Sequence, residues 1–535
     1  MPTMEEYKNP GADLPATYRA WQLHGAGFEN VGIDAAPETL ELREPKANEV
    51  LLRVDAVGLC LSDIKIIKQG SSHARLRGRD LAAEPTVLGH ECAVTVVKAG
   101  QNWQAKFHPG ERFIVQADIY HKGKGYAFGY LIPGGLAQYT YVDERVLDGD
   151  EGCYLLRVLD EAGYSQVALA EPWACVEMSY NLTEGRLVPS KGRVLIVTDL
   201  DLPEIFEGSV HVPSDLEGLP DGQFDDIVVF DPKPEVVEQL AGRLNKNGIM
   251  FLVGEPIDVG IVNLDIGKIH YEGQRFYGGG SNFDEIADAN KRNDLKPGGA
   301  ALFVGAGGPM GQMHVQRSIS IKDGPKTVVV TDLDKDRLAH IEARFGGMAV
   351  DKGVTLLTLC PSDFDTPQDL DVKLREIAPE GYSDICILAP IAQMVADLMP
   401  IAADNAIVNV FAGVGIGSKA PIPLEDLCRG VTIIGSSGSR ISDLRKILGM
   451  VENAELNTNL SVAAIGGLNA ALEGLKGLSE ARFPGKTVIY PQVPDLPLMG
   501  LPELAEKLPD VAARLSTEGS WTIEAEEALL EEHVK

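Results

Sequence analysis

Apolar positions follow two different rhythms along this chain. Through roughly the first 180 residues they come in short, partly alternating runs broken by turn residues, the pattern of antiparallel strands. Glu49 to Gly58 alternates in this way, Ala93 to Val97 forms a second strand, and Pro109-Gly110 turns the chain into Arg112–Val115. Gly134-Gly135 precedes another strand ending at Val142, and Leu169-Ala170-Glu171-Pro172 opens a helix with proline in a tolerated first-turn position. From Ala300 the rhythm changes to continuous apolar runs separated by helix-length segments, as in a parallel sheet covered on both faces. Ala300 to Val304 predicts a buried strand, Gln312 to Ile319 a helix, Thr327 to Thr331 a strand, and Arg337 to Phe345 a helix stopping at Gly346-Gly347. Leu388-Ala389-Pro390 and Phe411-Ala412-Gly413 close apolar strands, and Ser436-Ser437 follows another.

Between the first two of these later elements lies Gly305-Ala306-Gly307-Gly308-Pro309-Met310-Gly311. Strand, glycine turn, helix, strand and acid is the order a dinucleotide site needs. Glycines let the backbone approach a pyrophosphate, and the helix start offers free N–H groups and the positive end of its dipole. Asp332, 21 residues after Gly311, stands where a carboxylate accepts hydrogen bonds from both ribose hydroxyls and repels a 2′-phosphate. The expected cofactor is therefore NAD rather than NADP. Gly305, Gly307, Gly308, Pro309, Met310, Gly311, Asp332 and Arg337 are the expected nucleotide contacts, with Ala389, Ala412 and Ser436 at carboxyl ends of later strands. The turn is one residue longer than strict G-x-G-x-x-G.

The first region carries a different chemistry. Cys60, His90, Glu91 and Glu171 supply a thiolate, an imidazole and two carboxylates, a mixture suited to one four-coordinate Zn²⁺ at about 2.0–2.3 Å. A catalytic zinc keeps an exchangeable position, so one carboxylate is expected at the boundary of the coordination sphere. Such an ion lowers the pKa of a bound alcohol, and Ser62 could carry the alcohol proton away. Glu91 is both a ligand candidate and a catalytic one. Lys65, Lys68, His73, Arg75, Arg77 and Arg79 form a basic run with no acid between Ile64 and Arg79. A phosphorylated substrate would find its counter-charge there, His73 and Arg75 above all, although a solvated basic face is the plainer reading.

Composition narrows the setting. With 535 residues the chain needs two or three domains. A net charge of −30 argues against nucleic acid or anionic membrane as partners, and no apolar run reaches spanning length. The start of the chain lacks the apolar core of a signal peptide, and seven cysteines without paired spacing point to a reducing compartment, so a cytoplasmic location is expected. Apart from Cys60, the cysteines read as small hydrophobes.

The stretches Gly58-Leu59-Cys60-Leu61-Ser62-Asp63, Gly89-His90-Glu91, Pro109-Gly110-Glu111-Arg112, Gly134-Gly135-Leu136-Ala137-Gln138-Tyr139 and Glu171-Pro172, with the glycine turn and Asp332, resemble the zinc-containing medium-chain dehydrogenase/reductases. The resemblance implies a GroES-like β-rich catalytic domain joined to a Rossmann doubly wound parallel sheet, and an NAD-dependent alcohol or polyol dehydrogenase. Glutamate at the Glu171 position is typical of the polyol members. Gln69-Gly70-Ser71-Ser72-His73, Tyr120-His121-Lys122-Gly123 and Val330 to Asp334 are similar to L-sorbose-1-phosphate reductases, implying a polyol or sugar phosphate as small-molecule substrate. Many relatives carry a four-cysteine lobe with a structural zinc; residues 113–135 hold no cysteine, so one catalytic zinc and no structural zinc is expected. A threonine-type or simple-alcohol dehydrogenase shares the same machinery, and a catalytically inactive binding or assembly protein would share the fold.

The expected domains are 18–182 (completed by about 455–490), an insert at 183–297, the nucleotide domain at 298–454 and a tail at 491–535. The insert repeats the nucleotide domain: Thr198-Asp199-Leu200-Asp201 echoes Thr331-Asp332-Leu333-Asp334, and Phe224 to Phe230 resembles Tyr382 to Leu388. Gly278-Gly279-Gly280-Ser281 matches Gly435-Ser436-Ser437-Gly438. It is expected to be a partial Rossmann-like unit lacking the first strand and glycine turn, serving packing or assembly of a homo-oligomer rather than a second NAD site.

Overall fold

The computed structural model describes residues 3–10, 14–181, 192–200, 208–256 and 258–533. The chain divides into two compact units, Met1–Cys175 with Gly438–Lys535, and Val176–Ser437. The expected return to the first unit at about 455 therefore falls earlier, at Gly438, and the expected boundary at 182/183 and Asp201 lie outside the described residues.

The first unit opens with α1 (Met4–Lys8); Thr3 and Glu6 cap it reciprocally and Tyr7 is buried. Its main sheet uses β1 (Val50–Gly58), β2 (Glu91–Ala99), β3 (Arg112–Val115), β4 (Tyr139–Val142) and β5 (Leu155–Arg157). Strand β2 lies between β1 and β3, all antiparallel, with β5 beyond β3 and β4 on β1. Helix α2 (Leu61–Gln69) follows β1, and α3 (Tyr164–Ala168) and α4 (Ala170–Met178) follow β5.

The second unit holds two parallel sheets. The insert contributes β6 (Val194–Val197), β7 (Val210–Val212), β8 (Phe224–Phe230), β9 (Leu244–Val253), β10 (Ile261–Asp265), α5 (Ile266–Glu272) and β11 (Arg275–Tyr277). The nucleotide half contributes β12 (Ala300–Val304), α6 (Pro309–Ser320), β13 (Thr327–Thr331), α7 (Lys335–Lys352), β14 (Thr355–Leu359), β15 (Tyr382–Ile387), β16 (Ala402–Val410), β17 (Lys419–Pro423), α8 (Leu424–Cys428) and β18 (Thr432–Gly435). Sheet order in the nucleotide half is β14-β13-β12-β15-β16-β18, every pair parallel, the doubly wound arrangement that reverses direction between β12 and β15. Its apolar strands are buried on both faces, which is why they read as unbroken runs. Helix α7 runs through Gly346-Gly347, where a stop was expected, and ends at Gly353 with φ +67°. Two glycines cost such a helix about 1 kcal/mol each, and the buried Leu338, Ile341, Phe345 and Ala349 continue its packed face across them.

The insert sheet has the order β7-β6-β8-β9-β11, again parallel. Strand β6 sits between β7 and β8 as β12 sits between β13 and β15. The expected absence of a first strand is thus corrected: the strand is present, and Thr198-Asp199 follows it, in the place of the glycine turn rather than of Asp332. Strands β6 and β13 both run into Thr-Asp-Leu-Asp, and only their neighbours in the sheet tell them apart. The connection 198–209 has one glycine, Gly208, and so offers no second glycine-rich cradle.

The chain finally returns to the first unit with β19 (Val462–Gly467), β20 (Lys486–Tyr490), β21 (Met499–Gly500) and α9 (Ile523–His533). Strand β20 joins β1 antiparallel, so the end of the chain completes the first sheet. The expected tail at 491–535 is built in: buried Glu526 accepts from the N–H groups of Tyr164 and Ser165 and from Tyr490 Oη. Among the described residues no helix is long and apolar enough to cross a membrane.

Candidate metal centre and nucleotide-binding turn

Cys60 ends the segment after β1 and precedes α2; His90 and Glu91 stand where β2 begins. The pairing of Gly58 with Glu91 across β1 and β2 brings these segments together, although thirty residues separate Cys60 from His90. One ligand atom each from Cys60, His90 and Glu91 lie within 4.8 Å of one another. Glu91 Oε2 is buried with no hydrogen-bond partner among the described residues, a costly state for a carboxylate oxygen. Thiolate, imidazole and carboxylate with an orphaned buried oxygen fit a zinc ion.

Glu171, in the first turn of α4, is buried beside this group but outside the 4.8 Å set. Burial pushes its carboxyl up to about 7, with His90 opposing the shift and Glu91 adding to it. The Cys175 thiol donates to Glu171 Oε1 at 4.0 Å. Burial first, then Glu171, raises the Cys175 pKa well above its ordinary value. Ser62 lies half-buried in the first turn of α2.

Two residues that organise the site were not singled out by sequence. Asp63 is fully buried; Oδ2 accepts from Cys60 N at 3.2 Å, and Oδ1 accepts from Gly89 N at 3.3 Å and faces His90 Nδ1 at 3.3 Å. It holds both ligand-bearing segments and leaves His90 Nε2 as the nitrogen available to a metal. Its position three residues after Cys60, at the start of a helix, was the available signal. Lys486, on β20, forms a buried ion pair with Glu91 and donates to Leu59 O at 3.2 Å. No local pattern marks it.

The basic run does not act as one patch. Arg79 donates to the carbonyls of Glu84, Leu131 and Pro85 and is a loop fastener. Arg75 donates to Asp118 Oδ1 at 2.8 Å and lies 5.6 Å over the Tyr130 ring. Tyr130 packs 5.7 Å from His90 and 6.2 Å from His73, so Arg75 and His73 stand one ring away from the metal cluster. His73 Nδ1 accepts from Arg75 N at 3.3 Å. Burial, then Arg75 and Lys65, lowers its pKa. Lys65, Lys68 and Arg77 are exposed.

In the second unit the glycine turn follows β12 and leads into α6, capped by Gly308 with Pro309 at the first position and half-buried Met310 next. Gly305 has φ +70°, a left-handed conformation suited to glycine. A Cβ on Gly307 would lie 2.7 Å from the Asp332 carboxylate, and one on Gly311 would lie 2.4 Å from the Ala306 backbone. The first glycine keeps the turn open beside the acid, and the last seats the helix against the turn. Asp332 Oδ2 accepts from Gly307 N at 2.7 Å, and its Oδ1 accepts from Asp334 N at 3.0 Å. Arg337 pairs with Asp334 at 3.5 Å. Ala389, beside Gly305, follows β15; Ala412 follows β16; Ser436 follows β18, all at carboxyl ends of parallel strands.

Residues 46–148 match the alcohol dehydrogenase GroES-like domain family. The solved structure of 2R,3R-butanediol dehydrogenase from Bacillus subtilis is similar with a TM-score of 0.55 and 16% identity, over 89% of this chain and 99% of that one. The chain shares the fold of that dehydrogenase structure, with a GroES-like domain in its first unit. Its likeness to mannitol-1-phosphate 5-dehydrogenase of Aliivibrio fischeri is 25% identity over 511 residues, covering 93% of this chain and 95% of the relative. L-sorbose 1-phosphate reductase of Klebsiella pneumoniae is 24% identical over 502 residues, again 93% and 95%. Alignments of that length include the insert as well as the two better-known parts of this dehydrogenase fold.

Proposed function

We propose that this protein is a zinc-assisted, NAD-dependent dehydrogenase acting on a secondary hydroxyl, or the corresponding ketone, of a polyol or sugar phosphate. The observation that carries the reading is the clustering of Cys60, His90 and Glu91, with one buried oxygen of Glu91 lacking a hydrogen-bond partner among the described residues. Zinc would be held by Cys60, His90 and Glu91, with Glu171 at the boundary of its coordination sphere, and when bound it supplies Lewis acidity towards a substrate oxygen. Asp63 fixes the His90 ring and the Cys60 backbone, and Lys486 balances the charge of Glu91. Ser62 is the group proposed to take the hydroxyl proton on its way to solvent. Gly305, Gly307, Gly308 and Gly311 bare the backbone to the pyrophosphate, while Asp332 engages the ribose hydroxyls and disfavours a 2′-phosphate. The names of the full-length relatives support a phosphorylated substrate, and the seven unpaired cysteines support a cytoplasmic location.

The pairing of Arg75 with Asp118 favours a second reading, a neutral polyol or simple alcohol, because the best-placed cation already has a carboxylate partner. Elemental analysis for about one zinc per chain and NADH fluorescence test the dehydrogenase assignment; a protein that takes up neither is an inactive relic of the fold. Rates with polyols and their phosphates then separate the two substrate readings. Preference for the phosphate, lost in Arg75→Ala, supports the first reading; equal or faster turnover of the neutral polyols supports the second; an unchanged phosphate preference in the variant would remove Arg75 as the phosphate contact.

A further inference from the structure

Four elements of the insert recur in the nucleotide half at one constant interval. Phe224 corresponds to Tyr382, Leu244 to Ala402, Ile261 to Lys419 and Ile266 to Leu424, each first in its element, and the separation is 158 residues every time (382 less 224, for example). The irregularities repeat with the elements. The β8–β9 register shifts between Phe224 and Asp226, and the β15–β16 register shifts between Tyr382 and Asp384. Asn247 (φ 59°) and Asn405 (φ 57°), both outside the ordinary region for a non-glycine residue, occupy the same place in each copy.

The copies also meet symmetrically. Strands β10 and β17 pair antiparallel, Ile261 opposite Pro423 and Asp265 opposite Lys419, so that Asn263 faces Pro421, its own counterpart. Hydrogen bonds across the junction are reciprocal: Ile266 N donates to Ser418 O at 3.0 Å, and Leu424 N donates to Gly260 O at 2.9 Å. Adding 158 to the lower-numbered member of either bond yields the higher-numbered member of the other. Likewise a Cβ on Gly278 would lie 2.9 Å from Cys428 Cα, and one on Gly435 would lie 2.8 Å from His270 Cα. A contact between i and j matched by one between their counterparts is the signature of an isologous two-fold interface. The junction is apolar: Val262, Leu264 and Ile266 of the insert share one buried cluster with Ala420, Ile422 and Leu424.

We propose that the insert is a covalently attached second copy of the nucleotide half, so that the second unit is a two-fold dimer folded from one chain. The face on which a separate chain would dock is filled from within, and a homo-oligomer, expected from sequence, does not assemble through β17. Because the copy keeps the sheet and the junction but not the glycine turn, natural use has retained its packing and not a nucleotide site. This inference is independent of the metal and substrate readings.

Cysteines placed on the local axis test it. In a true two-chain dimer built from the same elements, position 263 would face 263 of the second chain, or 421 would face 421. The double variant Asn263→Cys/Pro421→Cys is expected to form a disulfide inside one chain on oxidation, with no gain of mass on a denaturing, non-reducing gel. Neither single variant is expected to cross-link beyond the level of the parent. Covalent dimers from a single variant, a cross-link between chains in the double variant, or two free thiols in it would overturn the proposal. In the unmodified protein, hydrogen exchange of the Ala420 and Ile422 amides is expected not to change with protein concentration; protection that grows with concentration would show that the junction forms between chains.

Discussion

Lys486 and Glu91 form a buried ion pair although they stand 395 positions apart in the chain. The last part of the chain returns to β1 and delivers a cation to the start of β2, next to Cys60 and His90. Breaking one side of such a pair leaves the other charged and desolvated. Lys486→Met is expected to lower stability by about 3–5 kcal/mol, measured by denaturant unfolding of the metal-free protein. Lys486→Met combined with Glu91→Gln is expected to recover most of that loss; a double variant as unstable as the single would mean that lost packing, not the unpaired charge, set the cost.

Asp63 ties the two ligand-bearing segments together through Cys60 N, Gly89 N and His90 Nδ1. Removing its charge in Asp63→Asn is expected to weaken zinc binding by about 10–100-fold while the secondary structure is kept. Competition against a chromophoric chelator measures this, and unchanged affinity would remove Asp63 from the metal centre.

Asp332 holds the glycine turn through Gly307 N. Replacing it with serine removes the charge that disfavours a 2′-phosphate, so the ratio of NADP to NAD affinity is expected to rise about tenfold or more, the equivalent of about 1.4 kcal/mol. Titration of both cofactors into wild type and Asp332→Ser reads the ratio directly. The loss of NAD affinity should exceed any gain in unfolding by denaturant.

His314, inside α6, is buried against Phe411, with Nδ1 2.7 Å from Tyr180 Oη. Burial first, then Arg317, lowers its pKa to about 3. In the unfolded chain a histidine titrates near 6.5, so between these values the unfolded state binds the extra proton. The stability associated with neutral His314 is therefore complete above about pH 6.5 and declines as the pH falls towards 3, with a slope of up to about 1.4 kcal/mol per pH unit. Unfolding free energies from pH 7 to 5 should fall less steeply in His314→Gln than in wild type.

Local order was legible in the residues themselves. The glycine turn, the strand before it and Asp332 are close in sequence, and backbone geometry at Gly305, Gly307 and Gly311 is set by sterics within one short segment. Cys60 and His90 were also readable, because a thiol and an imidazole beside strand ends are chemically distinctive. Lys486 and Asp118 were not: a lysine late in the chain and one aspartate among many acquire meaning only through the partners that folding brings to them. The end of α7 was misread because glycine propensity is a small local cost, outweighed by the packed face formed with the sheet.

The insert divides most clearly along this line. Its kinship with the nucleotide half was visible as repeated residue patterns, since each copy has to solve the same local problem of strand, turn and burial. Which strand was the first, and that the two copies face each other across Asn263 and Pro421, depended on hydrogen bonds and apolar contacts between residues far apart in the chain. Patterning along a chain specifies which face of an element must be buried; only the folded molecule decides what buries it.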